Sequence, residues 1–153
     1  GDVYKRQVYA IRPGAKGDIS LKSGETKNKY IAWYDRRAGP YNPSPLVYGD
    51  EFYTLFDFGF LGCRDAKTGE VHYDKERINP EKATGFTASP WAYRGHIFAL
   101  SEAGDTFVFK AGKEYKLVRV NHTGGMSMAN PALVGDRLLL RNQTQLFSIR
   151  EKN

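Results

Sequence analysis

The sequence predicts an all-β fold built from a repeated unit of about forty residues. Aromatic residues make up 14% of the chain, which also contains 16 glycines and 7 prolines. This composition suits pleated sheets joined by many turns, and no long stretch has helical periodicity. A polar residue, a proline, a short apolar run and a Gly turn occur in that order three times, with Pro45, Pro90 and Pro131 spaced by 45 and 41 residues. Such a period is typical of a propeller or a solenoid, because each unit buries its face only against its neighbours.

Each unit is expected to begin with a hairpin. A glycine between two short apolar runs supplies the positive φ that a tight hairpin turn requires. The three segments with this layout are residues 44–50, 89–95 and 130–136. The second strands are predicted at residues 52–56, 97–100 and 137–141.

A third strand is expected to follow each hairpin after a polar or Gly turn, and a fourth strand is expected in every unit except the last, which has three strands. The third strands are predicted at residues 60–64, 106–110 and 145–150, and residues 9–13 fit the same position in an earlier, truncated unit. The fourth strands are predicted at residues 30–34, 71–73 and 115–120. The sequence therefore predicts about three and a half four-stranded antiparallel units, over residues 8–35 (truncated), 44–79, 89–121 and 130–150 of a domain that spans 8–153.

The first seven residues, GDVYKRQ, match no position of the repeat. Back-translation of residues 2–7 gives a string that resembles the transposon end used in sequencing-library preparation. We therefore interpret residues 1–7 as a non-native leader, to be left out of fold reasoning. On this interpretation the reading frame begins within a gene, and the N-terminal blades of the same chain are missing.

The most specific motif is the link between a third and a fourth strand, Asp-Ala-Lys-Thr-Gly-Glu, which starts at Asp65 and includes Thr68 and Gly69. It resembles the signature of the pyrroloquinoline-quinone-type β-propeller repeat, in which Asp-Ala-x-Thr-Gly-Glu leads into a strand closed by Trp. Asp65 is expected to cap the turn with its side chain, and Gly69 to take a left-handed conformation. The closing aromatic residue, which packs between adjacent blades in this repeat type, is Tyr73 here, while Trp33 fits that place in the first unit.

The resemblance covers residues 8–150 and implies a β-propeller fragment from the C-terminal part of a quinoprotein-like propeller. The family is bacterial and extracytoplasmic, so the implied location is periplasmic or secreted. It shares its repeat type with the outer-membrane barrel assembly scaffold lipoprotein. One position departs from the pattern, because Arg64 occupies a column that is apolar at Phe109 and Ile149.

Quinoprotein alcohol dehydrogenases of this superfamily hold their quinone with Ca²⁺, over a Trp and under a disulfide of two adjacent cysteines. Cys63 is the single cysteine of this chain, so the sequence cannot form that disulfide. We therefore predict no catalytic residue, no metal site and no cofactor in this fragment. The alternative is that the fragment belongs to a quinone-dependent oxidoreductase or a carbohydrate-active enzyme whose catalytic residues lie in the missing N-terminal blades.

Other function classes are disfavoured by composition. The net charge is +6, but the basic residues are dispersed, so nucleic-acid binding is not predicted. No apolar run approaches the roughly 18 residues of a membrane span. Residues 125–129 nearly match the Gly-x-Ser-x-Gly nucleophile motif, but a Pro and a new strand follow, so this segment is interpreted as a loop.

In a propeller, the loops that lead into each inner strand lie on the same face as the turns between the second and third strands. Loops on a rigid scaffold often bind ligands. The sequence therefore predicts a non-catalytic scaffold or binding domain that uses this face, around the central channel, for a protein, a polar small molecule or a glycan. The alternative is that these polar residues serve only as turn formers before the inner strands. The candidate ligand-binding residues are Tyr41, Asn42, Ser44, Asp57, Ser89, Glu102, Asp105, Ser127 and Asn130.

Overall fold

A computed structural model describes residues 6–82 and 84–151. Within these residues, thirteen short strands form four antiparallel sheets in which neighbouring strands follow one another along the chain. The described part of the chain contains no helix that could cross a membrane. The first sheet contains two strands, β1 (Val8–Ile11) and β2 (Ile31–Asp35).

The other three sheets contain four, four and three strands, so the all-β fold predicted from the sequence is confirmed and the chain forms a partial β-propeller. We number the sheets blades 1 to 4 in chain order. Blade 2 contains β3 (Leu46–Tyr48), β4 (Glu51–Phe56), β5 (Phe60–Asp65) and β6 (Val71–Arg77). Blade 3 contains β7 (Trp91–Tyr93), β8 (His96–Leu100), β9 (Asp105–Lys110) and β10 (Leu117–His122). Blade 4 contains β11 (Ala132–Val134), β12 (Arg137–Arg141) and β13 (Leu146–Arg150).

The outer strands differ from their predicted bounds. β6 continues four residues past its predicted end at Tyr73, because two irregularities in its register with β5 let the polar segment stay paired. The cationic groups of Lys75 and Arg77 in this segment lie over the rings of Phe56 and Phe60, at 5.3 and 4.4 Å from the ring centres. Exposed, charged residues can therefore form strand where apolar alternation does not predict it.

The main hydrophobic core lies between blades 2 and 3. Alternate residues of their central strands point into it and are fully shielded from solvent, as the period of two in a strand requires. Burial of apolar area at about 25 cal/mol per Å² makes this contact the main stabilising interaction between the blades. The core side chains that are less than 2% exposed include Tyr53, Leu55, Leu61, Phe86, Ile97 and Phe109. A smaller cluster joins blades 3 and 4 and contains Ala88, Leu100 and Leu140.

Trp33 of blade 1 joins that blade to blade 2. Its indole Nε1 donates to the Ala66 carbonyl at 3.0 Å, and its ring covers Gly69, whose φ is +77°. A Cβ atom at Gly69 would lie 2.6 Å from the ring, so only glycine fits under the indole. The guanidinium of Arg64 also lies over the Trp33 ring, 5.4 Å from its centre, and forms an ion pair with Asp35 at 3.0 Å. This stacking explains why an arginine can occupy an otherwise apolar column.

The turn that receives Trp33 is closed by Asp65. Its carboxylate accepts hydrogen bonds from the backbone N–H of Lys67 and from both the N–H and the hydroxyl of Thr68, at 2.7 to 2.9 Å. The bonds from Thr68 hold the pKa of Asp65 below its usual value. Tyr73 lies at the next blade boundary, where its ring packs edge-on against Tyr115 of blade 3 at 5.7 Å.

Of the predicted leader, residues 1–5 lie outside the described residues, while Arg6 and Gln7 are described. The Arg6 carbonyl accepts a hydrogen bond from Gly39 N at 2.9 Å, and its guanidinium pairs with Asp57 at 2.9 Å. Arg6 therefore contacts the loops of blade 2, and the non-native origin of the leader stays a prediction.

Candidate binding face

The loops that lead into the inner strands are bonded directly to the turns between the second and third strands. We call the first set the crossing loops (39–44, 84–89 and 123–130) and the second set the bc turns (57–59, 101–104 and 142–144), and together they form the loop face. The Asp57 carbonyl accepts from Phe86 N, and the Glu102 carbonyl accepts from Ser127 N, both at 3.0 Å. The acceptors Asp57 and Glu102 are 45 residues apart and the donors Phe86 and Ser127 are 41 apart, as the repeat requires, so the bc turns of blades 2 and 3 each hold the crossing loop of the following blade.

A second set of bonds runs from one crossing loop to the next. The backbone N–H of Ser44 donates to the Ser89 hydroxyl at 2.8 Å, and the N–H of Ser89 donates to the Asn130 side-chain oxygen at 2.7 Å. All three residues immediately precede the repeated prolines. The structure thus brings these three candidate residues together as a ladder across blades 2, 3 and 4, in which Ser89 and Asn130 supply the acceptors.

Asp57 anchors the crossing loop of its own blade. Its side chain is only 10% exposed, and it accepts from Tyr41 N at 3.2 Å as well as from the Arg6 guanidinium. The ring of Tyr41 stays in solvent at 67% exposure, as does the neighbouring Phe58 at 68%. Asn42 is also exposed on this loop. The carboxylate therefore has internal partners, while the aromatic rings are presented outward.

Glu102 has the corresponding position in blade 3. Its carboxylate accepts from the Thr87 hydroxyl at 2.6 Å, and its backbone N–H donates to Gly85 O at 2.9 Å. At the end of the same turn, Asp105 lies 2.7 Å from Nδ1 of His122, whose side chain is 72% exposed. Among the described residues, no serine, threonine or cysteine side chain is hydrogen-bonded to this imidazole.

The crossing loop of blade 4 is fixed on both sides by Ser127 and its neighbours. Ser127 is fully buried. Its backbone N–H donates to the Glu102 carbonyl of blade 3, and its hydroxyl donates to Gly125 O at 3.4 Å. On the other side, Gln143 N donates to the Met126 carbonyl at 2.8 Å, and the Asn142 amide donates to Gly124 O at 3.0 Å. The loop backbone is therefore held between two blades.

Burial of Ser127 leaves both neighbouring methionines in solvent. Met126 and Met128 are 53% and 50% exposed, and they line a cavity of about 190 Å³ together with Ala129 and residues 141–143. The two methionines and Phe58 are not among the binding residues predicted from the sequence, because their exposure depends on tertiary neighbours. One sequence signal could have found the methionines, since the only two of the chain stand two residues apart in one loop.

A wider hollow of about 590 Å³ lies beside the first sheet. The rings of Tyr9 and Tyr34, stacked at 4.6 Å between their centres, form one wall, and the loop at residues 21–26 forms another. Burial against its neighbours raises the pKa of Tyr34. Charged side chains of both signs, Lys22, Glu25 and Arg36, also line it, so the hollow has no single electrostatic character.

Cys63 lies between blades 2 and 3, away from the loop face. It is 2% exposed, and burial raises the pKa of its thiol to about 11. The same burial raises the pKa values of Tyr53 and Tyr73. Among the described residues, no cluster of three or more His, Cys, Asp or Glu side chains is placed to hold a metal ion.

No family model and no curated protein matches the chain. Among solved structures, the chain is similar to BamB from Moraxella catarrhalis, with a TM-score of 0.44 and 12% sequence identity. The match covers 78% of this chain and 47% of the BamB chain, so this chain spans about half the length of that structure.

Proposed function

We propose that the chain is a non-catalytic binding domain of an extracytoplasmic protein, and that its loop face binds a segment of another protein. The observation that carries the proposal is the exposure of four large apolar side chains on this face, each at least half in solvent. They are Tyr41, Phe58, Met126 and Met128. Aromatic residues and methionine are enriched at protein–protein interfaces relative to the rest of the protein surface.

The rigidity of the loops supports a binding role. The ladder through Ser89 and Asn130 and the bonds between bc turns and crossing loops hold each loop to two blades. A surface that is already ordered loses little conformational entropy when a partner binds, which favours affinity. The bonded polar side chains therefore have a structural role, and the exposed apolar side chains are left for the partner.

The size of the cavity favours a protein segment over a small molecule. Small-molecule sites usually enclose about 300–1,000 Å³, and the cavity beside Met126 has only about 190 Å³. Two carboxylates of the face, those of Asp57 and Glu102, are engaged with neighbouring groups. A partner that covers a wide area through scattered apolar contacts fits this surface better than one enclosed in a pocket.

The proposed location of the protein, periplasmic or secreted, is supported by the repeat resemblance alone.

The test is a selection of binding peptides from a random peptide library displayed on phage, with the full chain as the target. Peptides that bind the loop face should lose most of their affinity when Tyr41→Ser and Phe58→Ser are combined, because two exposed rings are removed. The matched control combines Tyr93→Ser and Val71→Ser, whose side chains are 46% and 49% exposed and lie away from the loop face. Equal losses in the two double variants, or a loss only in the control, would contradict the proposal.

A further inference from the structure

The cavity on the loop face of blade 4 combines apolar walls with one cation. Met126 and Met128 form the apolar side, and Arg141 contributes its side chain to the lining. Arg141 is exposed and makes no ion pair with any residue that the structure describes. Leu146, 69% exposed, stands directly opposite Arg141 in the pairing of β12 with β13, and directly opposed residues point to the same face of a sheet.

The backbone around the cavity is fixed while its lining is adaptable. Gly125, with a φ of +74°, lies against the Asn142 amide, where a Cβ atom would be 2.8 Å from Nδ2. Ser127 and Gln143 add the two bonds that hold the loop to blades 3 and 4. The unbranched thioether side chain of methionine adapts its shape to different apolar groups. The result is a rigid frame with walls that can close on a side chain.

The volume sets the size of the group that the cavity can take. A cavity of about 150 Å³ is sufficient for a benzene ring, so about 190 Å³ admits one large apolar side chain and little more. The exposed guanidinium of Arg141 is placed to bind a carboxylate next to that side chain, since its planar donors match the geometry of a carboxylate. The net charge of +6 also favours an acidic partner, through long-range electrostatic attraction.

Resting on the proposed function of the loop face, we propose that this cavity is the anchor site of the partner, and that it binds one aromatic or large aliphatic side chain flanked by acidic residues in an extended peptide segment. Met126 and Met128 contact the apolar side chain. Arg141 pairs with the neighbouring carboxylate, and Leu146 extends the apolar contact beside it.

The site carries its own spectroscopic reporters. The two methionines of the chain both line the cavity, so labelling with [methyl-¹³C]methionine gives two methyl signals from the site itself. Single Met126→Leu and Met128→Leu variants assign the signals and distinguish them from that of a start methionine. The probe is the acetylated, amidated peptide Gly-Asp-Phe-Asp-Gly. Its controls are the Lys-Phe-Lys and Asp-Ala-Asp versions of the same length.

We expect the Asp-Phe-Asp peptide to shift both methyl signals with saturation, at a dissociation constant of about 1 mM or lower. Each control peptide should shift them much less. Arg141→Glu should weaken binding of the acidic peptide by about tenfold or more, because a charged hydrogen bond becomes a repulsion. Arg119→Glu, an exposed arginine on β10, should leave the affinity unchanged. Circular dichroism checks that each variant keeps its strand content.

Unmoved methyl signals at millimolar peptide, or equal binding by Arg141→Glu and the wild type, would overturn the proposal. Peptides selected on phage separate its failure from that of the proposed function. Selected peptides that depend on Tyr41 and Phe58 but leave both methyl signals unmoved would overturn the anchor site and leave the loop face as the binding surface. Selected peptides whose binding depends neither on Tyr41 and Phe58 nor on the cavity beside Met126 and Met128 would overturn both the anchor site and the proposed function of the loop face.

Discussion

Gly69 contributes to the contact between blades 1 and 2, because its backbone lies directly under the Trp33 ring. Gly69→Ala is expected to destabilise the chain through both a left-handed backbone, worth about 1–2 kcal/mol, and displacement of the indole. Gly95→Ala is the matched control, since Gly95 has a φ of +75° and no atom within 4 Å of a built Cβ. Urea unfolding should show a larger loss for Gly69→Ala than for Gly95→Ala. Equal losses would mean that the Trp33 contact does not contribute to stability.

Cys63 is expected to be unreactive in the folded chain, because it is buried and its thiol has a pKa of about 11. At pH 8 an aromatic disulfide reagent should label it slowly without denaturant and rapidly in urea, since the thiolate is the reactive form. The ordinary pKa of a cysteine thiol is 9.0, so the raised pKa of Cys63 means that the folded state disfavours its thiolate. The associated stability is present below pH 9 and is lost as pH rises from 9 towards 11. Fast labelling of the native chain would contradict the burial of Cys63 between blades 2 and 3.

Protonation of Asp65 should lower the stability of the chain at acidic pH. Its hydrogen bonds from Thr68 lower its pKa below 3.8, so its contribution is present above about pH 4 and is lost as pH falls through the lowered pKa. Asp65→Asn should therefore reduce stability at pH 7 and flatten the decrease on acidification. Thermal melting between pH 7 and pH 3 measures both effects. Parallel curves for the variant and the wild type would show that the Asp65 turn does not carry this dependence.

At the scale of elements, the ladder of crossing loops links three blades through side chains that precede the repeated prolines. Asn130→Ala removes the acceptor for Ser89 N–H, and Ser89→Ala removes the acceptor for Ser44 N–H, so each should cost about 0.5–1.5 kcal/mol. Ser44→Ala is the control, because Ser44 takes part in the ladder through its backbone N–H alone. Urea unfolding should therefore rank Ser44→Ala as the mildest of the three. A loss at Ser44→Ala as large as at Asn130→Ala would contradict the ladder.

The bounds of some strands could be predicted from the sequence, and those of others could not. β12 has the bounds predicted for it, 137–141, because its apolar run is limited by turns on both sides. β10 begins at Leu117, two residues after its predicted start at Tyr115, whose ring instead packs against Phe109 at 5.5 Å. Propensity cannot separate these two uses of an aromatic residue, because the choice depends on a neighbouring strand.

At the scale of the whole molecule, the repeat spacing predicted a propeller or a solenoid, because equivalent positions recur in equivalent places, and the resemblance of the motif at Asp65 to a propeller repeat selected the propeller. The same spacing brought the candidate residues Ser44, Ser89 and Asn130 to one face. It could not predict that their polar groups bond each other, nor that Met126 and Phe58 stay in solvent. Those properties depend on the loops of adjacent blades, which the sequence of one unit does not describe.

The most direct test of the loop face as the binding surface is hydrogen exchange of the chain, measured by mass spectrometry with and without a peptide selected from the phage library. Bound peptide should slow exchange in the crossing loops and bc turns, above all at residues 123–130 and 142–144. The turns at the opposite ends of the strands, residues 66–69 and 94–95, should exchange at unchanged rates. Protection confined to those opposite turns, with the loop face unchanged, would contradict the account.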